Sequence, residues 1–158
     1  TGMEKVRSEL EAVTKRKGLT LKTAQIFATN EITQKVESLI GEVDVVLIYT
    51  DHTIVSGVDA LIKLCNQYGV TLYASDLNSG EKGAALAFGV QEYEHGKQGA
   101  LKALTILDDY KLARDVPITA ISNYKLLINK ATQEAQGLAL SHEQLRTLAK
   151  NANVIIKE

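Results

Sequence analysis

The stretch that most constrains this chain is residues 44–76, which reads DVVLIYT, DHT, IVSGVDALIKLCNQYG and VTLYASD. Residues 44–50 are an unbroken aliphatic and β-branched run, the pattern of a strand buried on both faces of a parallel sheet. Residues 70–75 repeat it. Between the two, Ile54, Val58, Leu61, Ile62 and Cys65 recur at helical spacing, so one helix presents an apolar face that can cover the sheet. A strand–helix–strand crossover makes the strands parallel and brings their carboxyl ends to one edge. Asp51 and Asp76 therefore emerge together, at the edge where open α/β sheets bind ligands. That edge is the candidate site.

The flanking sequence continues the alternation. Met3, Val6, Leu10 and Val13 form a helical stripe, closed by Gly18 after a basic last turn. Residues 21–28 read as a strand. Asn30 is placed to cap a short helix that has Glu31 in its first turn and carries Ile32, Val36, Leu39 and Ile40, ending at Gly41. Helix, strand, helix, strand, helix, strand predicts an α/β fold, a mainly parallel sheet between two helical layers. After Asp76 the texture changes. Residues 77–83 (LNSGEKG) read as a polar, glycine-containing loop, residues 84–90 as a small-residue strand, and residues 92–107 as a helix containing Gly96 and Gly99. Each glycine costs a helix about 1 kcal/mol relative to alanine, and close packing or backbone approach is the usual reason to keep one. Beyond Pro117, residues 118–120 and 125–128 are candidate strands and residues 129–135 a helix closed by Gly137. Ser141 and Gln144 fit a capping box for a helix over 141–150, and residues 154–156 form a terminal strand or a tail. There are no repeats, low-complexity segments or flexible linkers.

Composition narrows the partners. The 158 residues carry 18 basic and 19 acidic side chains, and no Lys/Arg run is long enough to follow a phosphate backbone, which argues against nucleic acid. The cluster Lys15-Arg16-Lys17 ends a predicted helix and complements its dipole. The single cysteine, Cys65, cannot form an internal disulfide and is expected to pack in the core. No apolar run approaches the roughly 20 residues that span a bilayer. No signal peptide is recognisable, and the opening Thr-Gly-Met leads straight into a helix, as in a mature fragment or a piece that starts within a domain.

Catalytic signatures are missing: the sequence has no P-loop, no dinucleotide-binding glycine fingerprint, no nucleophile elbow and no Cys-x-x-Cys. His52, His95 and His142 are far apart and none has a neighbour at metal-ligand spacing, so no catalytic residue, metal or cofactor is expected. Asp51 has two compatible readings. It caps the following helix together with Thr53, or it accepts hydrogen bonds from a ligand ammonium or hydroxyl while helix-start amides hold a carboxylate. Asp76 is either a turn residue leading into Asn78-Ser79-Gly80 or the second acidic group of a pocket. His52, beside Asp51, is a surface or ligand-lining residue. A phosphoacceptor receiver domain fits poorly: the strand preceding 44–50 ends in Ala28-Thr29-Asn30 instead of an acidic pair, and the last strand lacks a suitable lysine.

Taken in order, DVVLIYTDHT (44–53), VTLYASD (70–76), KGAALAFG (82–89), YEHGKQ (93–98), Ile128-Asn129 and Gly137 resemble the later part of ABC-transporter substrate-binding proteins of the type I periplasmic-binding fold. The nearest branch in pattern is the one whose members bind tryptophan, phenylalanine or other amino acids. The resemblance covers nearly the whole chain. It implies two α/β lobes joined by hinge strands, with the ligand between them. Residues 1–82 would supply the second-lobe core, 83–116 a strand and helix crossing toward the first lobe, and 117–158 the return segment and C-terminal helix. Carried over as ligand contacts are Asp51, Thr53 and Asp76, with Ser75 and Gly83 as further candidates, and His52 standing where the family often has asparagine. The chain departs from the pattern at Asp108-Asp109 (usually glycine), at Ser141 (commonly proline) and near Asn151 and Asn153 (usually aspartate).

The resemblance implies a non-enzymatic solute-binding protein that takes a small ligand, an amino acid being favoured, and delivers it to a membrane permease. It implies an exported, periplasmic or cell-surface location. The rival is a ligand-sensing domain of a signalling receptor with the same fold; a native end at Glu158 would favour the transporter, since a sensor continues into a membrane span. The first lobe's early strands are absent here, so half the pocket is missing and an isolated piece is expected to bind weakly and to dimerise over its exposed surface.

Overall fold

The computed structural model describes residues 2–151 and 153–158, without the side chains of Gly2, Met3 and Asn151. Five strands form one sheet in sequential order: β1 (Val45–Ile48), β2 (Thr71–Ala74), β3 (Leu86–Val90), β4 (Tyr124–Asn129) and β5 (Asn153–Lys157). All neighbouring pairs are parallel except β3 and β4, which run antiparallel with Val90 opposite Tyr124. The stacked rings of Phe88 and Tyr124, 5.2 Å apart, reinforce that pair. This is the expected α/β fold of the type I periplasmic-binding class.

Helices α3 (His52–Ser56) and α4 (Val58–Tyr68) connect β1 to β2, and α5 (Leu77–Lys82) connects β2 to β3. Both crossovers advance the same way across parallel strands, so right-handedness places α4 and α5 on one face. Helix α2 (Ile32–Ile40) packs beside α4. Its Ile32, Val36 and Ile40 join Val58, Leu61, Ile62, Leu64 and Cys65 over Leu72, Ala74, Ala87 and Leu127 of the sheet. Strand β4 leads into α7 (Lys130–Gln133), and α8 (His142–Asn151) precedes β5 and packs against it. The capping box of α8 is formed: the Ser141 amide donates to Gln144 Oε1 at 2.8 Å and the Gln144 amide to Ser141 Oγ at 3.2 Å.

One polar side chain fastens the starts of β2 and β3. Gln136 is fully buried, and its Oε1 accepts from the amides of Leu72 (3.1 Å) and Ala85 (3.0 Å). Its Nε2 donates to Asn66 Oδ1 and to the Gly83 carbonyl, both at 2.8 Å. All four bonding positions of the amide are thus filled.

Several expectations are corrected. Residues 21–28 do not join the sheet. Their ends are tied elsewhere, by a Lys22–Glu42 ion pair, by the Phe27 amide donating to Glu31 Oε2, and by Thr29 Oγ1 donating to the Thr53 carbonyl. Asn30 caps nothing; it lies inside a 3-10 turn, Thr29–Glu31, that leads into α2. The helix expected between β1 and β2 is broken at Gly57, where a Cβ would come within 2.3 Å of Ile32 Cδ1. Residues 77–83 are mostly helix rather than loop: Asp76 caps α5, and small residues let it lie close on β3 and β4. Residues 118–120 are not a strand, residues 129–135 shrink to α7 followed by turns, and the terminal segment is strand β5. The stripe of the first helix, α1 (Gly2–Arg16), keeps Val6 and Leu10 half-buried, whereas Val13 is exposed and the Met3 side chain lies outside the described residues.

Candidate functional site

Strands β1 and β2 pair in parallel with Ile48 opposite Ala74, so the residues that follow them leave the sheet at one rim. Matching pairs stand there, Thr50-Asp51 and Ser75-Asp76. The Thr50 amide donates to Ser75 Oγ at 2.8 Å, and the two side-chain hydroxyls lie 3.0 Å apart. These bonds extend the pairing past the end of the ladder and fix the spacing of the two aspartates. Ser75's hydroxyl is consequently engaged within the protein.

Each aspartate then starts a helix. Asp51 is exposed, and its Oδ1 accepts from the amides of Thr53 at 2.8 Å and Ile54 at 3.4 Å, with no hydrogen bond to Oδ2 among the described residues. Asp76 is half-buried, and Ser79 occupies both of its oxygens, the amide on Oδ1 and the hydroxyl on Oδ2, each at 2.8 Å. The capping reading thus holds for both, and Asp51 keeps the freer oxygen. His52 is exposed in the first turn of α3; Thr53 is half-buried there, tied through its carbonyl to Thr29.

Gly83 is not brought to this rim. It ends α5 with φ +137°, buried before β3, and a Cβ there would press on Ile62 Cγ2 at 3.2 Å. Because α5 runs back from the rim, Gly83 stands toward the opposite edge of the sheet, where its carbonyl serves Gln136.

Residues that shape the rim were not singled out by sequence. Thr50 is one; its position before Asp51, repeated by Ser75 before Asp76, is the signal that marks it. Gly89 on β3 is another: a Cβ there would sit 3.2 Å from Asp76 Cα and 3.3 Å from the Ser75 carbonyl oxygen. Asn78 donates to Glu92 Oε1 at 2.9 Å, linking α5 to the start of helix α6 (Glu92–Asp108). Tyr73, on β2 just before this rim, has its phenol pushed above the ordinary range by burial and by Tyr49. Among the described residues no group of three or more His, Cys, Asp or Glu side chains could hold a metal ion, and no helix is long and apolar enough to cross a membrane.

A mostly parallel sheet with paired acidic helix caps at its carboxyl rim is an α/β arrangement of the periplasmic-binding type. Comparison with known proteins makes this specific: the chain belongs to the ABC transporter substrate binding protein family, which matches residues 2–153. A tyrosine-binding protein of Clostridioides difficile is 27% identical over 129 residues, covering 81% of this chain and 37% of that protein. A Streptococcus pneumoniae structure, an ABC domain in complex with L-Trp, superposes with TM-score 0.79 at 25% identity, covering 97% of this chain and 50% of that one. A conserved domain protein of Vibrio cholerae shares the fold at TM-score 0.83 and 21% identity, with 98% and 50% covered. The chain spans less than half the length of the curated relatives it matches.

Proposed function

We propose that this chain forms the ligand-binding second lobe, with crossing elements, of a solute-binding protein that serves an ABC importer and captures an amino acid between two lobes. The observation that carries this reading is the rim itself: Asp51 is held by its own helix start through Oδ1, and no hydrogen bond among the described residues takes up Oδ2. A zwitterion suits it, the ammonium meeting Asp51 and the carboxylate a helix-start amide. An amino acid is favoured because two similar proteins are a tyrosine-binding protein and a complex with L-Trp. Thr53 and His52 flank the acceptor, and Asp76 with Ser75 shapes the neighbouring position. Gly83 acts through the packing beneath it.

The second lobe's partner would meet α6. That helix buries none of its residues, and nothing lies within 4 Å of a Cβ built at Gly96 or Gly99. Two costly glycines facing open space, beside exposed Tyr93, Leu104 and Leu107, fit a surface made for a first lobe. Residues 83–116 would then cross to that lobe and 117–158 return. Delivery to a membrane permease at the periplasmic or outer cell face follows from the family role.

The test is thermal unfolding of the two-lobed protein with and without tyrosine, tryptophan and other amino acids, for the unaltered sequence and for Asp51→Asn. Asparagine keeps the cap but removes the charge. One of these solutes is expected to raise the midpoint by several degrees, by mass action, and Asp51→Asn to reduce that rise at least tenfold in apparent affinity. A rise that survives the substitution unchanged removes Asp51 from the site.

A further inference from the structure

Pairing between β1 and β2 changes character at the rim. The Ser75 amide donates to the Ile48 carbonyl at 3.0 Å. In a parallel ladder, a residue that donates to one position accepts from the position two further on, so the next bond would run from the Thr50 amide to the Ser75 carbonyl. No such backbone bond is made among the described residues. The Thr50 amide donates instead to Ser75 Oγ at 2.8 Å, and Thr50 Oγ1 donates to the Ser75 carbonyl at 3.3 Å. The two hydroxyls lie 3.0 Å apart. Each hydroxyl has one proton, and that of Thr50 is used on the carbonyl, so Ser75 is the donor between them. Both backbone groups thus keep a partner, but each partner is the other residue's side chain.

Two hydroxyls inserted between an amide and a carbonyl hold the chains further apart than a direct bond does. The two sides of the rim are not equally free to respond. The end of β2 is backed by β3, where a Cβ on Gly89 would lie 3.2 Å from Asp76 Cα and 3.3 Å from the Ser75 carbonyl oxygen. Asp76 is further fixed by Ser79 on both of its oxygens. On the β1 side, Thr50 and Asp51 are exposed, and the Asp51 side chain bonds only the amides of its own helix start among the described residues.

We propose that this side-chain rung is a spacer: Thr50 and Ser75 are positioning residues that hold Asp51, with the start of α3, at a set distance from Asp76. Ser75 then serves the pocket through Asp51 and does not touch the solute. Its effect on affinity rests on the proposed amino-acid site, whereas the rung itself does not. Removing Ser75 Oγ frees the Thr50 amide to take the carbonyl at position 75 directly. The ladder zips one step further and draws Asp51 inward. A backbone bond replaces the lost hydroxyl bonds, so the cost falls on the site and not on the fold.

Two measurements test this. In the full chain, NMR couplings across hydrogen bonds identify the acceptor of the Thr50 amide. The unaltered chain is expected to show no coupling to the carbonyl at position 75, and Ser75→Ala to show one, with an unchanged melting midpoint. A coupling already present in the unaltered chain, none in the variant, or loss of the fold in Ser75→Ala overturns the inference with no solute involved. The second measurement is calorimetric titration of the two-lobed protein with tyrosine and with tryptophan. Ser75→Ala is expected to weaken binding about tenfold, and Ser75→Thr, which keeps the hydroxyl, to restore it. In the Asp51→Asn background, Ser75→Ala should have no further effect. Losses that add in the double variant put Ser75 on the solute itself and overturn its positioning role. If neither amino acid binds the unaltered protein, the amino-acid site fails, and the coupling alone decides the rung.

Discussion

Cys65 is fully buried among α4 and the sheet, and burial pushes its thiol up to about 11 from an ordinary 9.0. The thiol's folded value lies above its unfolded one, so its neutral form contributes stability that is complete below about 9 and disappears as pH rises toward 11. Tyr73, raised by burial and by Tyr49, acts in the same direction at slightly higher pH. Urea unfolding at pH 8.5 and 10.5 is expected to show a loss of about 2 kcal/mol, from about 1.4 kcal/mol for each pH unit above the unfolded value of 9.0. Cys65→Ala should remove most of that pH slope. At this scale the sequence was legible where the relevant partners are local. Asp51 and Asp76 bond to residues two or three positions on, and the strand-then-carboxylate pattern exposes them. Gln136 was not legible, because its partners lie 51 to 70 positions away and nothing near it in the chain marks a buried amide.

Elements were predicted where periodicity acts alone and missed where packing overrides it. Helix α5 contains Asn78, Ser79 and Gly80, poor helix formers, yet it forms because only small residues fit against β3 and β4. A Cβ at Gly80 would lie 2.7 Å from Ala87 Cβ and 2.9 Å from Leu127 Cδ2. The strand expected at 21–28 fails for the opposite reason: its pattern is right, but anchors at both ends hold it off the edge it would extend. The same contrast predicts two glycine substitutions with opposite signs. Gly80→Ala should destabilise the fold by about 1–3 kcal/mol through overpacking. Gly96→Ala, with open space around it, should raise the helicity and stability of α6 by roughly 0.5–1 kcal/mol in this chain. Denaturant melts and far-UV circular dichroism of the two variants separate these outcomes; a destabilising Gly96→Ala would mean that α6 packs closely in solution.

For the molecule as a whole, the five strands and their covering helices hold the core, whereas α1 and α6 carry little of it: Val13, Tyr93, Leu104 and Leu107 all remain exposed. The sheet and its carboxyl rim were readable from residues 44–76 because one crossover fixes both direction and edge. The α6 surface was readable only as an anomaly, two glycines without a stated neighbour. The antiparallel pairing of β3 with β4 carries a separate consequence. Because Val90 stands directly opposite Tyr124, the polypeptide leaves the sheet and re-enters it at adjacent points. Everything from 91 to 123 is therefore a detachable excursion. Replacing it with a two-residue Asn-Gly turn should yield a smaller protein that still melts cooperatively and retains the native amide pattern of β1 and β2. That trimmed chain would isolate the rim on a minimal scaffold, without the exposed apolar residues of α6.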